Sequence, residues 1–111
     1  MLSKSKFILG QQCNKSFWFD INNIEPTNPP DEGSLERLNA GNEVGEISKD
    51  LFPGGIEIPY LPGNQKKMFE LTKESISEGA TSIYEASFIF DDIFVRVDLM
   101  NKTEKGWDIY E

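Results

Sequence analysis

The 111 residues leave room for one domain, and 38% apolar with 12% aromatic side chains exclude a disordered tail. Nineteen acidic against eleven basic residues give a formal charge of -8, a field that on average repels a phosphate backbone. No histidine occurs, which removes the usual neutral-pH base and the commonest zinc ligand, so any metal would fall to carboxylates.

Met1 to Lys6 is followed by too few apolar residues for a signal peptide, and no stretch approaches the ~18 apolar residues of a membrane span. A single Cys cannot build an intrachain disulfide framework. These features point to a cytoplasmic protein without a membrane segment.

In chain order, residues 3–22 carry Phe7, Gln11, Lys15 and Trp18 at helical steps with Ser3 placed to cap, which predicts one helix with an aromatic end. Asn22-Asn23 and the proline-rich run 26–31 break it into a loop. From Asp31 to Phe52 the pattern is helical again: Ala40, Val44, Ile47 and Leu51 lie at helical spacing, with Leu35 and Leu38 extending the apolar run toward its start. Glu43, Glu46 and Asp50 occupy another side, and Pro53-Gly54-Gly55 ends the helix. Ile56-Glu57-Ile58 is a short strand candidate, and residues 64–78 form a third helix with Met68, Leu71, Ser75 and Ile76 inward and Gly79 as its end cap.

After Gly79 the period changes to two. Residues 82–90 and 93–100 predict a hairpin around Asp91-Asp92, and Trp107 to Glu111 begins a third strand. The reading is an α+β fold, helices over residues 1–79 and a three-stranded antiparallel meander over 80–111. The third strand is expected to continue past Glu111, so 1–111 reads as a single partial domain. An open third strand offers self-association.

Acidic residues on successive strands are a recurring way to hold a hard cation such as Mg²⁺, which takes oxygen ligands. Asp98 is expected to share a face with Phe94 and Arg96, opposite Val95, Val97 and Leu99, and Glu111 to line up with Trp107 and Ile109. A charged residue on a half-exposed strand is ordinarily just solvated. By that reasoning Asp98, Glu111 and Glu85, taken singly, describe no more than an α+β domain.

Their order along the chain adds to this. Residues 2–20, LSKSKFILGQQCNKSFWFD, resemble the N-terminal helix of the RecB-like branch of PD-(D/E)XK nucleases, and residues 41–55, GNEVGEISKDLFPGG, resemble the next helix of a bacterial domain family of unknown function in that superfamily. Residues 83–88, IYEASF, then 95–99, VRVDL, then 106–111, GWDIYE, are similar to its three core strands in order. The resemblance implies a restriction-endonuclease-like αβββαβ core, with Asp98 as metal-binding Asp, Glu111 as the acid of the (D/E)XK motif and Glu85 as a supporting ligand or acceptor. It also implies Mg or Mn, and DNA as partner of a longer parent protein.

Two departures stand against it. Where the family places a metal-binding His on the helix, this chain has Gly45, leaving Glu43 or Glu46 to reach the site from a face that reads more simply as solvated. The motif Lys, two positions after the acid, would lie beyond Glu111, so this chain alone is expected to be inactive. Cys13 matches an iron–sulfur ligand of some relatives, but such a cluster needs four thiolates, and a small buried thiol is the simpler expectation. The alternative function is a noncatalytic acidic interaction module.

Overall fold

The structure, a computed structural model, describes residues 1–25 and 31–111. The proline-rich loop expected over 26–31 lies, apart from Asp31, outside the described residues. The elements in chain order are β1 (Leu2–Ser3), α1 (Lys4–Gln12), α2 (Asn14–Ile21), α3 (Glu32–Leu51), β2 (Ile56–Glu57), α4 (Gln65–Ser77), β3 (Ser82–Phe90), β4 (Ile93–Thr103) and β5 (Gly106–Tyr110). Among the described residues, no helix is long and apolar enough to cross a membrane.

The fold is α+β, as expected, but the sheet is mixed and five-stranded rather than a three-stranded antiparallel meander. β3, β4 and β5 form the antiparallel part, β2 adds to β3 in parallel, and β1 adds in parallel to β4. Both additions are two residues long, too short to leave a period in the sequence. β1 meets β4 at Ile93 and Phe94 while β5 meets it from Leu99 onward. Between them the middle of β4 carries neither partner.

The single helix expected over residues 3–22 is two helices. Cys13 stands between them in an extended conformation, φ -158° and ψ 108°, closing α1 and opening α2. Apolar spacing continues across this break, so the pattern does not reveal it. Ser3 does cap α1, its hydroxyl accepting from the Lys6 amide. Asp31 caps α3 by accepting from the Ser34 amide, and this contact holds its carboxyl below the usual range.

The core lies between α4 and the sheet: Met68 packs in one cluster with Ile58, Ile83, Ala86, Phe94, Val97 and Met100. Of the inward residues expected on α4, Met68 and Ser75 are buried and Leu71 and Ile76 pack partly buried, with Thr72 fully buried beside them. Thr72 ties helix to sheet, its Oγ1 donating to the Met68 carbonyl and accepting from the Ser87 amide at 2.9 Å. Gly79 ends α4 at φ +88°, a value glycine adopts at little cost.

The expected alternation along β4 holds only in part. Residues three apart on a regular strand point to opposite faces, yet Ile83 and Ala86, and likewise Val97 and Met100, belong to one core. The break is at Glu85, φ 59°, where the β3–β4 pairing skips one step between Tyr84↔Leu99 and Ala86↔Val97.

Tyr84, beside that break, anchors the end of α3. Its hydroxyl donates to the Phe52 carbonyl, with the Lys49 carbonyl 3.2 Å away. The ring reaches so far only because residue 55 is glycine, since a Cβ there would lie 2.5 Å from it. Gly55→Ala is therefore expected to destabilise the protein by about 1–3 kcal/mol through overpacking. Urea unfolding should show a lower midpoint at unchanged slope.

Candidate functional site: an acidic row across three strands

The β3–β4 register sets Glu85 across from Asp98 at the skipped step. The β4–β5 register runs Met100↔Ile109 and Leu99↔Tyr110, and one further step sets Glu111 across from Asp98. Residues directly opposed on neighbouring strands share a face. The three candidate acids thus stand in one row, with Asp98 in the middle.

Two cations meet this row. Lys4 Nζ donates to the Glu111 carboxylate, a contact joining positions 107 apart in sequence. Its ammonium is held above the ordinary lysine range, first by that hydrogen bond and then by the charges of Glu111 and Asp98. Lys4 is also the first residue of α1, where a positive side chain opposes the helix dipole and a carboxylate complements it. Glu111 therefore offsets a cation that the helix start disfavours. At the other end Arg96 pairs with Glu85 at 3.0 Å, donates to the Ile58 carbonyl at 3.3 Å and covers the Tyr60 ring.

Two cavities open beside the row, and Glu85 and Asp98 line both. One, of about 320 Å³, lies under α3 and is bounded by Asn42, Gly45, Glu46 and Lys49. The other, of about 450 Å³, lies against the start of α1 with Ser3, Lys4, Tyr60 and Arg96. Lys49 bridges Glu46 at 2.9 Å and Glu57 at 3.0 Å, and both contacts, Glu46 first, raise its ammonium above the ordinary range.

Glu46 thus reaches the rim of the site, with its carboxylate taken by Lys49, while Glu43 does not line this cavity. Gly45, the position matched to the family's His, does line it. Asn42, three residues earlier and so on the same side of α3, brings an amide that sequence reasoning passed over. Lys4 was passed over as well, because no local pattern relates it to Glu111.

Among the described residues, no three carboxylate, thiol or imidazole groups stand in an arrangement that could hold a metal ion. The physical reason is visible in the row: Glu85 turns to Arg96 and Glu111 to Lys4.

Cys13 corrects an expectation. The thiol is exposed rather than buried, at the junction of α1 and α2. Hydrogen bonding to Ser16 is the main cause that lowers its pKa. Alkylation by iodoacetamide should therefore set in at lower pH than for an ordinary thiol, because the thiolate is the nucleophile. Ser16→Ala should move the rate profile back up the pH axis.

No protein-family model, curated protein or solved structure matches this chain, so its functional reading rests on the chemistry of the acidic row.

Proposed function

We propose that this chain carries the carboxylate face of a divalent-metal-dependent DNA phosphodiesterase of the PD-(D/E)XK type. The observation that supports this reading is the row Glu85–Asp98–Glu111 on three adjacent strands. Asp98 and Glu111, which the resemblance names as metal ligands, are direct neighbours in it.

Every group of the row is an oxygen donor, the kind a hard cation such as Mg²⁺ or Mn²⁺ takes, but Glu85 and Glu111 must leave Arg96 and Lys4 before the row can close on an ion. Asp98 and Glu111 would hold the ion, with Glu85 in support and the Asn42 amide and Glu46 across the cavity. An ion held there would lower the pKa of a bound water and polarise a phosphate. The rest of the chemistry belongs to the chain. Lys4 pairs with the Glu111 carboxylate, Arg96 fixes Glu85 at the opposite end, and Tyr84 anchors the end of α3 beside the row.

Lys4, Lys49 and Arg96, the cations lining the two cavities, are each engaged with carboxylates. A phosphate approaching the row meets neutralised cations and a net charge of -8. DNA cleavage by the 111-residue chain with Mg²⁺ or Mn²⁺ is accordingly expected at background level. Robust cleavage that disappears in Asp98→Asn would show that the acids suffice.

A second reading, a noncatalytic acidic interaction module, draws support from the internal pairing of Glu85 and Glu111. Metal titration separates the two. On the nuclease reading Mn²⁺ binds weakly, in about the millimolar range, because few protein oxygens are available. Paramagnetic broadening should centre on Asp98 and vanish in Asp98→Asn, and Lys4→Met should strengthen binding by roughly threefold by freeing Glu111 from a competing charge. Broadening centred on Glu43 and Asp50, with Asp98 unaffected, would favour the interaction module.

A further inference from the structure

Helix α3 presents a feature that the acidic row does not use. Ala40, Val44, Ile47 and Leu51 recur at steps of four, three and four residues, the seam spacing of paired helices. The seam is open to solvent: Val44 is 67%, Ile47 63% and Leu51 75% exposed. It spans about 16 Å of helix axis. The side of α3 that lines the cavity over the sheet is centred on Asn42, Gly45 and Lys49, with Gly41 and Ser48 at the edge it shares with the seam.

One flank of the seam carries Glu36, Glu43 and Asp50, spaced by seven, all exposed and in no ion pair among the described residues. With Ala40 and Ile47 at d and Val44 and Leu51 at a, these acids hold three successive g positions. Gly41 and Ser48 hold the e positions on the other flank. Charges at e and g select the partner and its orientation.

That charge pattern decides what can cover the seam. A second copy laid antiparallel sets g against g, acid against acid. Laid parallel, it sets the acids against Gly41 and Ser48, which carry no cation. Anionic lipid and nucleic acid are repelled by the same flank. We propose that the Ala40–Val44–Ile47–Leu51 seam is a docking surface for an amphipathic helix of a partner protein. Its apolar stripe packs on the seam, and its Lys or Arg side chains face Glu36, Glu43 and Asp50.

The test uses two fluorescein-labelled four-heptad peptides with Ile and Leu at a and d, one bearing Lys and the other Glu at every e and g. In fluorescence anisotropy the Lys peptide is expected to bind, its affinity falling with added salt, and the Glu peptide to bind at least about tenfold more weakly. Ile47→Glu should abolish binding, and Glu36→Lys with Glu43→Lys and Asp50→Lys should reverse the preference. Leu35→Glu, off the seam, and Glu104→Lys with Asp108→Lys, which remove the same sign of charge elsewhere, should change neither. Circular dichroism verifies that each variant keeps its helices.

Equal binding of the two peptides, binding of neither, or equal loss in Leu35→Glu and Ile47→Glu would overturn the proposal. So would sedimentation equilibrium showing a dimer of the chain that Ile47→Glu dissociates, since the seam would then serve a second copy.

Discussion

Glu85 stands in the left-handed backbone region at φ 59°, in the middle of the longest strand pairing of the molecule. A side chain larger than glycine in that conformation costs on the order of 1 kcal/mol, so something must hold it. Arg96, two residues from Asp98 on β4, does so through the 3.0 Å pair with the Glu85 carboxylate. The same guanidinium reaches the Ile58 carbonyl and the Tyr60 ring, fixing the segment that follows β2. At 24% and 35% side-chain exposure the pair is only partly screened, which makes it stronger than an open surface bridge.

From this break the rest of the site follows. The skipped pairing step is the place where Ile83 and Ala86 both reach the core. Tyr84 and Glu85 between them are freed for other work: Tyr84 anchors the C-terminal end of α3, and Glu85 enters the cavities on either side of the row. Asp98 sits opposite, on the stretch of β4 that neither β1 nor β5 covers. Into that gap α1 brings Lys4, so the short parallel addition of β1 gives the row one of its cations, while Arg96 comes from β4 itself.

The strongly periodic parts of the chain were legible. The hairpin with its Asp91-Asp92 turn, the helix with Met68 inward, the Gly79 cap and the cap at Ser3 all follow from local chemistry. The pairing of β4 with the strand from Trp107 was also readable, because a tight turn between β4 and β5 leaves little freedom of register. What could not be read depended on distant contacts. β1 is a strand only because a longer strand lies beside it, whereas β2 falls where Ile56-Glu57-Ile58 was expected, and Cys13 breaks a helix whose apolar spacing runs on. The exposure of Val44, Ile47 and Leu51 could not be read either, since a periodic pattern reports a face without saying what covers it. Lys4 and Arg96 changed the chemistry of the row most, turning a set of candidate ligands into two ion pairs around Asp98.

The central claim is that Glu85, Asp98 and Glu111 form one row, and interstrand nuclear Overhauser effects test it directly. The account predicts backbone contacts of Tyr84 with Leu99 and Ala86 with Val97 on one side, and of Leu99 with Tyr110 and Met100 with Ile109 on the other, which together set Glu85 and Glu111 across from Asp98. A β5 slipped by one residue, pairing Asp98 with Tyr110, would turn Glu111 to the opposite face and contradict it.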